Sequence, residues 1–187
     1  MKAIGIVGSP RKNGNTEILT GHCLKAIAEE GLETELIRLA DCDIRLCNGC
    51  LVCREGKPCP IDDDVLPIYE KMNEADAIIL ASPVYFSAAT SLIKALIERT
   101  GCMSYLKKPF AGKVGGPLVV ARRAGETSTF AELMYWFHIM GMIMPGSTYW
   151  NVAFGLKRGE VRNDKEGMDT AWNFGKNVAY VVKKLKA

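Results

Sequence analysis

No apolar stretch of this chain approaches the ~18 residues that a membrane span requires, which excludes an integral membrane helix. The N-terminus, MKAIGIVGSP, has one lysine and a short apolar stretch that stops at Ser9-Pro10, too little for a secretory signal, so the expected location is the cytoplasm. Charge of one sign is also scarce. A net charge of +3, with Lys and Arg scattered rather than clustered, lacks the basic footprint that phosphate-backbone binding needs, so no nucleic-acid partner is expected. Histidine is limited to His22 and His138, neither spaced with another His, Asp or Glu to suggest a metal or catalytic site. No HExxH helix, Ser-His-Asp arrangement or paired acid/base signature occurs, and no catalytic residue is assigned. Neither nucleotide fingerprint is present: GxGxxG is missing, and Asn15 stands where a Walker loop would place Lys. Internal repeats, linkers and low-complexity tracts are lacking too, and 187 residues fit one domain.

Cysteine is abundant by contrast. Seven are present, four of them in the run CNGCLVCREGKPCP as Cys47, Cys50, Cys53 and Cys59. A chain of this length builds a core without disulfide staples, and cytoplasmic thiols stay reduced, so the run points to metal binding or redox chemistry. Gaps of two residues let successive sulfurs converge on one centre, as in iron-sulfur clusters and structural zinc. The two-two-five spacing followed by Pro60 matches bacterial ferredoxin spacing only in part, and tetrahedral zinc or plain redox thiols remain open readings. Cys23, Cys42 and Cys102 each stand alone among apolar neighbours and are expected to be buried structural thiols.

Apolar runs near residues 3–8, 34–39, 77–82 and 114–121, with a further strand expected within 142–153, alternate with helical periodicity near 18–27, 62–72, 88–100, 129–141 and 167–185. The aspartates 62 to 64 suit a helix start. Alternating strands and helices predict an α/β fold, a doubly wound five-stranded parallel sheet with helices on both faces, whose ligand site lies at the carboxyl ends of the strands. Three loops fall there. The first, GSPRKNGNT, offers Ser9, Arg11, Asn13, Asn15 and Thr16 ahead of a helix N-terminus, a setting for a monophosphate without metal, or simply a polar loop with a good cap. The second, Pro83, Val84, Tyr85, Phe86 and Ser87, has the surface to flank a planar ring, or to cover the end of the sheet. The third, Ala121, Arg122, Arg123, Ala124 and Gly125, is basic and small-residue rich, placed to meet negative charge or to stay solvated. The stripe Met134 to Met144 reads as core or subunit interface.

GSPRKNGNT, DAIILASPVYFSAAT with its downstream LIKALIERT, and ARRAGET together resemble the flavodoxin-like NAD(P)H-dependent FMN reductases, and CNGCLVCREGKPC followed by IDDD resembles more narrowly the iron-sulfur flavoproteins among them. That resemblance implies a flavodoxin-like domain over 1–187 with a cysteine-rich insertion at about 43–62. It implies FMN, with phosphate on Ser9, Arg11, Asn13, Asn15 and Thr16 and the ring bordered by Pro83 to Ser87 and by Ala121, Arg122, Arg123 and Gly125. It also implies a 4Fe-4S cluster on Cys47, Cys50, Cys53 and Cys59, and a homodimer or homotetramer in which the cluster approaches a neighbouring subunit's flavin. The activity expected is flavin-dependent electron transfer with a ferredoxin-like or small-molecule partner, with NAD(P)H a further donor. Two alternatives stand beside it: an NAD(P)H-dependent FMN or quinone reductase without a cluster, and a non-enzymatic redox carrier or sensor.

Overall fold

Strand β1 (Lys2–Val7) is followed by α1 (Asn15–Glu29), β2 (Glu33–Arg38), α2 (Val65–Glu74), β3 (Ala77–Pro83), α3 (Ser91–Ser104), β4 (Val114–Ala121), α4 (Glu126–Ile139), β5 (Val152–Phe154) and α5 (Lys165–Lys186). A computed structural model describes all 187 residues. The strands form one parallel sheet in the order β2-β1-β3-β4-β5, the flavodoxin-like arrangement. The chain reverses its winding direction at β1, so the loops after β1 and β3 leave the sheet side by side.

The pleat divides the side chains between two cores. Ile4, Ile6, Ile78, Leu80 and Val119 face α2, α3 and α4, where Ile68, Met72, Ile93, Leu96, Leu133, Trp136 and Phe137 meet them. Ala3, Ala77, Ile79, Ala81 and Leu118 face α1 and α5, packing on Leu19, Cys23, Ile27, Phe174 and Val178. Because both faces are covered, β1, β3 and β4 read as continuous apolar runs. Each fully buried large side chain, such as Phe174, contributes roughly 1.5–3 kcal/mol relative to exposure.

Three expectations need correction. The last strand is only three residues long, because the segment holding Pro145 and Gly146 leaves the sheet after a single bridge between Val114 and Ile143. Of the lone cysteines, Cys23 is buried, but Cys42 and Cys102 are half-buried. Of the three aspartates, Asp63 alone bonds the start of α2, its Oδ1 accepting the Val65 N–H at 3.1 Å. Asp64 stands at the cap position without a side-chain bond to the helix, and its Oδ2 accepts the Asp43 N–H at 2.7 Å. Reciprocally, the Asp64 N–H donates to the Asp43 carbonyl at 3.0 Å, which brings together the two ends of the segment between β2 and α2. Within the Met134–Met144 stripe, Trp136, Phe137 and Met142 are buried, whereas Tyr135 and Ile139 are exposed.

Candidate functional site

The loop after β1 turns tightly and delivers the chain to α1 with its first N–H groups pointing outward. Asn13 has φ of 53°, in the left-handed region that Asn tolerates, and its N–H donates to Glu17 Oε2 at 2.7 Å. Ser9 Oγ accepts the Arg11 N–H at 3.2 Å. Ser9 and Thr16 are buried, while Arg11 and Asn13 are exposed. Arg11 reaches the Leu156 carbonyl through Nη1 at 3.1 Å. The Asn15 side chain is committed at both ends, donating to the Lys157 carbonyl at 2.9 Å and accepting the Val161 N–H at 3.4 Å. Only its backbone N–H remains for an anion.

A second loop is shaped by a tight hairpin in which Tyr85 and Ala88 exchange both backbone hydrogen bonds. Phe86 and Ser87 at its tip have φ of 51° and 60°. Two consecutive left-handed residues are the signature of a type I′ turn, normally built from Asn and Gly, so Phe86 sits there under strain with its ring fully exposed. The third loop packs on this hairpin at Gly125, whose φ of 85° favours glycine. A Cβ there would lie 2.8 Å from Ser87 Oγ and 2.9 Å from Val84 Cγ1. Ser128 Oγ adds a bond to the Ser87 carbonyl at 2.9 Å. The loop after β1 is tied to α3, because Thr90, which caps that helix, donates its hydroxyl to the Gly8 carbonyl at 2.7 Å.

These loops enclose a cleft of about 110 Å3 that brings together Ser9, Arg11, Asn15, Thr16, Pro83, Val84, Tyr85 and Arg122. Asn13, Phe86, Ser87, Ala121, Arg123 and Gly125 lie outside the lining. Gly155 and Leu156, after β5, line it as well and escaped the sequence reading. Their signal was positional: they follow the carboxyl end of a strand next to β4, and a glycine stands at the turn.

The cysteine segment crosses from β2 to α2 with only two short 3-10 turns, at Leu39–Asp41 and Val52–Glu55. Gly49, Leu51 and Gly56 are left-handed, with φ of 69°, 62° and 80°, so the chain reverses sharply between the thiols. For a branched side chain such as Leu51 this is strained. Cys47 and Cys50 are exposed, Cys53 and Cys59 half-buried, and all four are free. No three Cys, His, Asp or Glu side chains gather at metal-ligand spacing. Cys102 of α3 lines a cavity together with Arg54 of the run, and burial, with the neighbouring Cys47 and Cys53, pushes its thiol up. The Arg54 guanidinium stacks over the Tyr105 ring at 4.6 Å and fastens the outer turn to the end of α3. At the inner end Arg99 of α3, 1% exposed, donates from Nη2 to Cys59 Sγ at 3.2 Å and pairs with Asp63.

Residues 1–157 match the family model of the NADPH-dependent FMN reductases. The chain belongs to that family. It is a flavin-dependent oxidoreductase. An iron-sulfur flavoprotein of Methanocaldococcus jannaschii is 44% identical over the full length of both chains. An iron-sulfur flavoprotein of Methanosarcina thermophila is 35% identical over 100% of this chain and 97% of its own. The family resemblance carried by the cysteine run is therefore shown over the whole chain. Among solved structures, RosB with bound 8-demethyl-8-formylriboflavin-5'-phosphate superposes with a TM-score of 0.79 at 20% identity, covering 100% of this chain and 80% of that one. A flavodoxin, WrbA-like protein from Agrobacterium tumefaciens superposes at 0.70 with 16% identity and 98% of both chains. At such identities they carry the flavodoxin-like fold alone.

The chemistry of both donor sets matches the groups that the family implies. The first cleft combines a buried hydroxyl pair, an arginine and a helix N-terminus, the chemistry of a phosphate site. The segment from Cys47 to Cys59 supplies four free, soft thiols, which are not drawn together at one centre, and Arg99 of α3 directs a buried hydrogen-bond donor at Cys59.

Proposed function

We propose that this flavin-dependent oxidoreductase holds FMN in the cleft between the loops after β1, β3 and β4 and a 4Fe-4S cluster on Cys47, Cys50, Cys53 and Cys59. It would exchange electrons with a ferredoxin-like or small-molecule partner. The observation that carries the reading is the joint presence, on one α3 helix, of a cap bonded to the flavin loop and a side chain bonded to the last cysteine. FMN passes electrons singly or in pairs and a cluster passes one, so the two together join two-electron donors to one-electron carriers.

The chain's own residues supply placement. Ser9, Arg11, Thr16 and the free N–H groups of α1 would bind the phosphate. Pro83, Val84, Tyr85 and Arg122 would border the ring. Arg122 would lend positive charge to a reduced, anionic ring. A homodimer or homotetramer is part of the proposal; exposed Phe86, Tyr135, Ile139, Tyr149 and Trp150 are large side chains of the kind that a subunit interface covers.

Metal and flavin analysis of anaerobically reconstituted protein tests the reading. Flavin bands with broad cluster absorbance and about four irons per chain are expected. Flavin without iron after careful reconstitution would remove the cluster. A second reading, NAD(P)H-dependent reduction of FMN or a quinone without a cluster, is favoured by the family match and by the dispersed thiols. Rapid flavin reduction by NADPH in an iron-free preparation would support it, and failure of every nicotinamide to reduce the flavin would count against it.

A further inference from the structure

We infer that Arg99 is the positioning residue of the cysteine segment, fixing Cys59 and setting the potential at which the metal centre accepts an electron. The inference rests on the cluster reading above and extends it to a residue outside the cysteine run.

Arg99 lies inside α3, and its side chain is 1% exposed, a rare place for a cation. Its guanidinium works in three directions. Nη1 pairs with the Asp63 carboxylate and donates to the Arg45 carbonyl at 3.2 Å, while Nη2 donates to Cys59 Sγ at 3.2 Å. Asp63 in turn accepts the Arg45 N–H at 2.9 Å and the Val65 N–H at 3.1 Å. Arg45 precedes the first thiol of the run and Asp63 follows the last, so one buried node fastens both ends of the run to a rigid helix. Only a planar fork of N–H donors serves three such partners at once; a lysine ammonium, a compact point charge, does not hold that geometry.

A purely structural ion pair would need no more than Asp63. The arm to sulfur is surplus to that purpose, and it has a defined electronic consequence. A cluster held there would gain negative charge on taking one electron from a one-electron reductant. An N–H directed at a ligating sulfur favours the more negative state, which raises the potential. Asp63 offsets the charge of the guanidinium at longer range, so the short hydrogen bond carries the effect.

The test compares wild type, Arg99→Lys, and the double variant Arg99→Met with Asp63→Asn, each as the full chain reconstituted anaerobically with FMN, iron and sulfide. Iron and flavin per chain, far-UV circular dichroism, and the midpoints of cluster and flavin in one potentiometric titration are recorded. In the double variant the reduced-to-oxidised ratio of the cluster at the wild-type midpoint should fall about tenfold, a shift of ~60 mV to lower potential for a one-electron couple. The flavin midpoint should stay where it is. Arg99→Lys, which keeps the charge beside Asp63 but loses the fork, should shift the same way by less. If the double variant takes up no iron, the lysine variant decides by its midpoint and by the rate at which it loses iron to a chelator. Wild-type midpoints and wild-type iron retention in both variants would reduce Arg99 to a fold element and overturn the assignment. Wild-type protein that binds FMN but no iron would overturn the cluster reading itself, and the tuning role with it.

Discussion

Arg99 and Asp63, 36 residues apart in sequence, meet as an ion pair whose side chains are 1% and 0% exposed. Removing one partner strands the other. Asp63→Ala should destabilise the protein by about 3–5 kcal/mol, the usual cost of leaving a buried charge unpaired. The double variant Arg99→Met with Asp63→Asn should lose far less. Urea denaturation of the apoprotein at neutral pH checks this, and an Asp63→Ala protein within ~1 kcal/mol of wild type, the range of an exposed pair, would show that the pair is not closed to water.

The same aspartate makes the fold acid-sensitive. Burial alone would raise the Asp63 carboxyl, but Arg99 and the N–H groups of Arg45 and Val65 outweigh it and hold the group below the usual carboxylate range. Asp76 is held low in the same way, against its own burial, by Lys186 and the Lys2 N–H. With the folded values below the unfolded ~3.9, this stabilisation is complete above about pH 4 and is lost as pH falls through the folded values. Urea midpoints measured between pH 6 and pH 2.5 should therefore drop mainly at the acid end. Asp63→Asn should show a shallower drop, and an unchanged slope would assign the effect to other groups.

Arg11→Gln should separate phosphate from ring recognition. Losing one charge-assisted bond, worth ~1.5–3 kcal/mol, should weaken FMN binding by at least about tenfold and leave riboflavin almost unaffected. Quenching of flavin fluorescence on titration with apoprotein reads both affinities. Equal losses for the two flavins would show that Arg11 shapes the loop rather than binds the phosphate.

At Gly125 a side chain meets two obstacles, a left-handed backbone and the hairpin at Ser87 and Val84. Gly125→Val should cost more than the roughly 1–2 kcal/mol of the backbone strain alone, because Ser87 must move. FMN affinity should fall with stability, since the displaced hairpin borders the cleft. Wild-type melting temperature and affinity in this variant would contradict the packing described.

Ser87→Gly should do the opposite. Relief of the left-handed strain exceeds the added freedom of the unfolded chain, for a gain of about 0.5–1 kcal/mol. The Ser128 bond is made to the backbone and survives the change. A lower melting temperature would mean that the Ser87 hydroxyl contributes something the hydrogen bonds do not record.

Much of the sheet was legible because buried parallel strands are written as unbroken apolar runs: Ala77–Pro83 and Val114–Ala121 follow their runs closely. The fifth strand was not, since Pro145 and Gly146 interrupt the segment and only pairing beside Val119 to Ala121 marks where it rejoins. The three loops could be named from their place after strands. What each side chain does there could not, and Asn15 illustrates why: its amide is bound by residues 157 and 161, far along the chain. Asp63 looked like a local cap and Arg99 like part of an amphipathic helix. Their contact depends on how α3 packs beneath the cysteine segment, a tertiary fact with no local pattern.

The paired hydrogen bonds between Asp43 and Asp64 close the base of the stretch between them, and its other fastenings, to Arg99 and Tyr105, all come from α3 and the residue that ends it. No strand of the sheet runs through it. Such a segment is set apart from the sheet: a change in its length or contents would be felt first at Arg99, whose buried charge needs Asp63, and hardly at all by the strands.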